Sequence, residues 1–261
     1  MAAEAEEEVS GLALLKQPAT PALANFLNDL LAMISFQAYL WGMIVRVDYG
    51  HGDPSKFPAP GAPAPPESAV GQMDTHSQVL GEMIFCRRVN SFQTYLTELL
   101  TLIFEAKPEA LKSQKQVTRE FCVEHYAAND LISALAEQTV NELAYQGLKD
   151  LAKFFSKKLQ LPLFTKDEHL ENAALCVDIR NIITHNRGIV NGLFAQRHPA
   201  YANAVGHRVT LTEKDIREMT GTLGHCLRRL DIRAVKKFGL PTIEPQFRDP
   251  DESPSLKQSG S

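Results

Sequence analysis

Cysteine is scarce and scattered: Cys86, Cys122, Cys176 and Cys226 are the only four, and none forms a C-x-x-C pair. That spacing supplies neither a zinc knuckle nor a disulfide framework, and it predicts reduced thiols packed inside a cytoplasmic protein. The common phosphate-binding and hydrolytic signatures are missing too. There is no G-x-x-x-x-G-K-[ST] loop, no G-x-G-x-x-G, no G-x-S-x-G elbow and no H-E-x-x-H. The eight histidines keep no metal-binding spacing with cysteines or carboxylates, so neither metal nor other cofactor is expected. His198, His207 and His225 read as scattered surface residues. Long apolar runs are lacking as well. The most hydrophobic stretch, Leu30 to Val45, is 16 residues bounded by Asp29 and Arg46, short of the roughly 20 residues of a membrane span. It predicts a buried central helix with Trp41, the one tryptophan, in the core. The Ala/Glu-rich start does not read as a secretory signal.

Hydrophobic residues at 44% and charged residues at 22% predict an ordinary globular core. The formal charge of −4 sits mainly in the ends: residues 1–20 carry four Glu and one Lys, and residues 241–261 carry four acids and two bases. The remainder is close to neutral, which excludes a strongly cationic surface but not a local basic site. The basic run Arg228, Arg229, Arg233, Lys236 and Lys237 reads as a solvated helix face with favourable C-terminal cations. Lys153, Lys157 and Lys158 read the same way.

Helical periodicity fills the rest, and the fold class expected is all-α, an up-and-down bundle with a long Pro-rich loop and disordered tails. Residues 1–20 form an acidic disordered N-terminus, 21–240 a single helical domain, and 241–261 a disordered tail. Within the domain, six prolines place a surface loop at 50–76. A helix from Pro21 to about Val47 precedes it, and one from Ser77 to Ala106 follows. Short helical pieces open at Pro108 and near Val117–Tyr126, and Asn129 starts a long helix that keeps its period to Leu159. A capping box at Thr165-x-x-Glu168 starts the next helix, which leaves through Gly188. Thr212-x-x-Asp215 starts the last one. Gly206 to Leu211 is the only plausible extended piece.

The helix ending at Asn186 contains Arg180-Asn181-Ile182-Ile183-Thr184-His185-Asn186-Arg187-Gly188. At 100° per residue, Leu175, Ile179, Ile182 and Ile183 share one face, directed to the core. Arg180 and His185 straddle the opposite face, about 140° apart, with Val177, Asn181 and Thr184 as a strip between them. Such a strip suits a second copy of the helix across a two-fold axis. The residue types match metal-free RNA cleavage. That reaction needs a base for the 2′-hydroxyl, an acid for the leaving oxygen and cations around the phosphorus, which imidazole and guanidinium supply. One copy of the motif brings one imidazole, and two copies bring two.

Arg180, Asn181 and His185 resemble the signature of the HEPN superfamily: Arg followed by a polar residue, then His after a gap of four to six. The sequence from Arg180 to Val190 is similar to bacterial RiboL-PSP-HEPN proteins, and the resemblance covers about residues 77–238. It implies a helical, usually dimeric protein, often a metal-independent endoribonuclease of toxin–antitoxin, phage-defence or CRISPR-linked systems. It makes Arg180 and His185 the catalytic pair and Asn181 a supporting substrate contact. HEPN toxins neutralised by a nucleotidyltransferase carry a Tyr two residues after the His. Arg187 stands there in this chain, which argues against that route and offers a further phosphate contact. The partners expected are a second copy through this helix, an RNA substrate and a neutralising or regulatory protein, with no membrane. A non-catalytic HEPN dimerisation or interaction module is the alternative.

Overall fold

The computed structural model describes residues 18–48, 69–112, 116–126 and 128–244. Among them the secondary structure is helical, with two isolated β-bridges and no strand. Eight α-helices follow in order: α1 (Pro21–Asp48), α2 (Ala69–Ala106), α3 (Arg119–Glu124), α4 (Ala128–Gln146), α5 (Leu148–Lys157), α6 (Asp167–Asn186), α7 (Gly192–Arg197) and α8 (Glu213–Phe238). Single 3-10 segments stand at Pro108–Leu111 and Pro199–Ala204.

At 38 residues α2 is the spine, about 57 Å long at 1.5 Å per residue. Phe85, Val89, Phe92, Leu96, Leu99 and Ile103 recur along it at helical spacing and are fully buried. Around it pack α1, α4, α6 and α8. Antiparallel α1 is fixed to α2 by Asp29, whose carboxylate accepts from Arg87 and Ser91, both at 2.7 Å. The final helix runs parallel to α2, with Arg88 donating to Thr220 near one end and Tyr95 to Asp231 further on.

Asp231 is the deepest carboxylate of the fold. It accepts from the Thr20 backbone N–H at 3.1 Å, the Thr20 hydroxyl at 2.5 Å and the Tyr95 hydroxyl at 3.3 Å. Thr20 also caps α1, accepting from Leu23 N–H just ahead of Pro21. Beside it Ala19 pairs with Ile243 through two backbone hydrogen bonds, and Arg228 donates twice to the Pro18 carbonyl.

Several sequence expectations shift here. Residues 18–20 and 241–244, assigned to loose tails, meet on the body of the domain, and Ala19 and Thr20 are fully buried. The remaining tail residues, 1–17 and 245–261, lie outside the described residues, as does 49–68 of the Pro-rich segment. Helix α2 starts at Ala69, inside the stretch read as loop, because no proline follows Pro66 until Pro108. The helix expected from Asn129 to Leu159 divides at Gly147, whose φ of 90° breaks the helical path. Thr165 does not cap α6, since Lys166 is the N-cap and no side chain closes that end. Thr212 and Asp215 do form the reciprocal capping box of α8. Arg228 is buried rather than solvated, and Arg233 and Lys237 cap the carbonyls of Pro162 and Gln160.

The C-terminal half of α1 is the largest departure. Phe36, Tyr39 and Trp41 are 55%, 64% and 45% exposed, so Trp41 is not a core residue. An apolar run without period does not say how many neighbours a helix has, and α1 lies chiefly against α2, with only a brief touch on α8.

Replacing Asp231 by Ala should cost about 3 kcal/mol, because three buried donors lose their acceptor. Burial pushes the Asp231 carboxyl up, so the folded chain binds its proton more readily than the unfolded chain does. Its stabilising contribution is therefore complete below the unfolded value near 3.9 and declines as pH rises through the raised folded value. Denaturant melts of both proteins across acidic pH should show the stability gap narrowing on going upward. A gap that widens would contradict this assignment.

Candidate functional site

Helix α6 is small on the sides where neighbours come close. Ala173, Ala174 and Cys176 are buried in its first half, and the Cys176 thiol and the Asn172 amide both reach the Met219 carbonyl of α8. Burial pushes the Cys176 thiol up to about 12, so it is a packing residue and not a nucleophile. Ile179 and Ile182 face the core as the wheel requires.

Val177 does not stand in an outward strip. It is buried, in a cleft that it shares with Gly147 and Leu148 at the start of α5. A helical wheel treats a helix as uniform around its outer side, whereas the start of α5 lies against this flank of α6 at Val177. From that strip Thr184 remains exposed and Asn181 half-buried.

Arg180 lies on the α2 side of the helix. Its Nε–H donates to Asn90 Oδ1 and its Nη1–H to Asn181 Oδ1, each at 2.7 Å. The guanidinium is thus held in one orientation by two amides, and neither neutralises its charge. Cys86 sits next to it: burial pushes this thiol up, against the opposing pull of the Thr184 hydroxyl and the Arg180 charge. The Thr184 hydroxyl donates back to the Arg180 carbonyl at 2.8 Å.

His185 is exposed in the last turn of α6, on the flank facing α7. It lines a small cleft of about 200 Å³ with Asp178, Asn181, Asn191 and Arg197. Arg180 and His185 are therefore on separate flanks, five residues or roughly 7.5 Å apart along the axis. Asn181 lies between them, accepting from one and sharing a cleft with the other. Arg187 ends the helix in the left-handed region at φ 54°, with its side chain exposed.

The small cleft continues into a larger one of about 500 Å³, and the two share Asp178, Asn181 and Arg197. Its further lining includes Lys149 and His198. His198 is not a scattered surface residue. Its ring is only 12% exposed, its Nε2 lies 2.8 Å from Asp178 Oδ2, and it leans on Phe194 at 4.8 Å between centroids. Arg197 approaches the other Asp178 oxygen at 3.5 Å. Only the fold reveals this group, because Asp178 and His198 are joined through the turn between α6 and α7, where no helical period connects them. His207 and His225 remain exposed. Among the described residues no group of three potential metal ligands occurs.

The turn that carries His185 toward α7 is tightly built. Gly188 has φ 75°, and a Cβ there would stand 3.1 Å from Arg208 Cγ. Arg208 meanwhile grips Glu82 of α2 through two hydrogen bonds, at 2.8 and 2.7 Å. Gly188→Ala should therefore lower stability by about 1–2 kcal/mol from backbone conformation alone. Thermal unfolding measures this, and an unchanged midpoint would show that the turn relaxes freely.

No family model, no curated protein and no solved structure matches this chain.

Proposed function

We propose that this protein is a metal-independent endoribonuclease, an effector or toxin of a bacterial defence or toxin–antitoxin system. The supporting observation is the state of the two motif side chains. Arg180 is oriented by two neutral amides and keeps its charge for a ligand, while His185 stands exposed beyond Asn181 on the same helix. A guanidinium fixed in this way suits the developing charge on a pentacoordinate phosphorus, and an exposed imidazole suits proton transfer near neutral pH. The resemblance to HEPN proteins supports the same reading and adds a two-fold homodimer, in which two copies of the helix form a composite site. Asn181 and Arg187 are proposed as substrate contacts in that arrangement.

A second reading has its own observation. The exposed Ile34, Phe36, Tyr39 and Trp41 on α1 form the kind of surface that docks another protein, which favours a non-catalytic interaction module.

Cleavage assays on single-stranded RNA separate the two. In excess EDTA the protein should still cut, leave 2′,3′-cyclic phosphate ends and spare DNA and 2′-O-methyl RNA. His185→Ala should reduce cutting by at least about 100-fold without changing helicity. Arg180→Lys should also be impaired, because an ammonium does not reproduce the guanidinium fork. Light scattering should give twice the chain mass. A well-folded protein inert toward varied RNAs, and equally harmless in cells with or without His185, would give the case to the interaction module.

A further inference from the structure

The clefts on the α7 flank of α6 hold a second imidazole in the same chain as the first. His198 is fixed from both sides, by the Asp178 carboxylate and by the buried Phe194 ring. In the tautomer whose Nε2–H donates to Asp178 Oδ2, Nδ1 is the ring nitrogen left free to accept. Nδ1 makes no hydrogen bond with the described residues and is not among their sealed-off polar atoms. Arg197 leans on the same carboxylate, and Lys149, itself paired with Glu171, lines the cleft. His185 follows Asp178 by seven residues, two turns on, so it projects within about 20° of the same direction and about 10 Å further along the axis. His198 lines the larger cleft and His185 the smaller, and Asn181 and Arg197, a neutral donor and a cation, line both.

We propose that His198 and His185 are the general base and general acid of one site, both rings supplied by a single chain. The ligand is a single-stranded RNA phosphodiester lying along this flank of α6. This rests on the nuclease reading and moves the second imidazole from a two-fold partner into the chain itself. In the reaction, neutral His198 Nδ1 takes the proton of the 2′-hydroxyl as the 2′-oxygen bonds to phosphorus. The bond from phosphorus to the 5′-oxygen breaks, and protonated His185 gives its proton to that oxygen. The products are a 2′,3′-cyclic phosphate and a 5′-hydroxyl. Proton exchange with solvent then returns both rings to their starting states, with no change of oxidation state. Asp178 is a positioning residue that sets the His198 tautomer.

The test uses the full chain, a short RNA with one scissile ribose, and the same RNA with sulfur in place of the scissile 5′-oxygen. A thiolate leaves without an acid, so the sulfur substrate isolates the base. His198→Gln keeps an N–H for Asp178 and similar bulk but has no basic nitrogen, and His198→Ala serves as its companion. Both should cut the ordinary RNA at least about 100-fold more slowly than wild type, and the sulfur substrate should not rescue them. His185→Ala should be equally slow on ordinary RNA and recover on the sulfur substrate. Asp178→Asn should shift the ring-nitrogen NMR signals of His198 toward the other tautomer and slow cutting while the fold persists. Mixing His185→Ala with His198→Gln chains should restore nothing, because neither chain holds both rings. Wild-type cutting that survives in His198→Gln but not in His185→Ala would overturn this proposal and leave the nuclease reading standing. Marked recovery in the mixture would do the same. A wild-type protein inert toward both RNAs would bring down the nuclease reading itself.

Discussion

The buried carboxylate of Asp231 is the constraint from which the arrangement of the long helices follows. A carboxylate removed from water must be met by donors, and three converge on it from the start of α1 and the middle of α2. Because Thr20 both caps α1 and binds Asp231, the first helix begins where the last helix dictates. The Ala19–Ile243 pair then closes the described chain on itself. Helix α6 packs against both α2 and α8, burying Ala173, Ala174 and Cys176 in its first half.

That placement decides what the motif helix offers. Buried in its first half and partly free in its second, α6 exposes its polar residues only near its C-terminal end. Asn90 of the spine takes the Arg180 side, and the short α7 takes the His185 side. Two chemically different flanks result from one helix: a clamped cation on one, and histidines, an arginine and a carboxylate around a cleft on the other. Asn181 belongs to both, which gives the polar residue after the arginine a structural reason for its type.

Much of this was legible in the sequence. The helix beginnings at Pro21 and Thr212 and the short helical pieces at Pro108 and near Val117–Tyr126 all depend on local chemistry, which a sequence displays directly. Arg180 and His185 were readable because both lie on one helix, whose geometry converts spacing into direction. What escaped depends on neighbours. Val177 is hidden beside the start of α5, Trp41 is exposed because among the described residues α1 lies chiefly against α2, and Arg228 turns inward to donate to the Pro18 carbonyl. The Asp178–His198 pair escaped for a similar reason: 20 residues and a reversing turn separate its members. An all-α fold by itself names no activity, since proteins of many activities share it.

The grip of Arg208 on Glu82, with Gly188 pressed beneath it, has a mechanical meaning. The strand-like contact of Ile189 with Arg208 ties the outgoing turn of α6 to the segment that enters α8, and both are anchored to the spine. The end of α6 is thus cross-braced to the same long helix that holds Arg180 through Asn90, so His185 and Arg180 are both referred to the spine as a common frame.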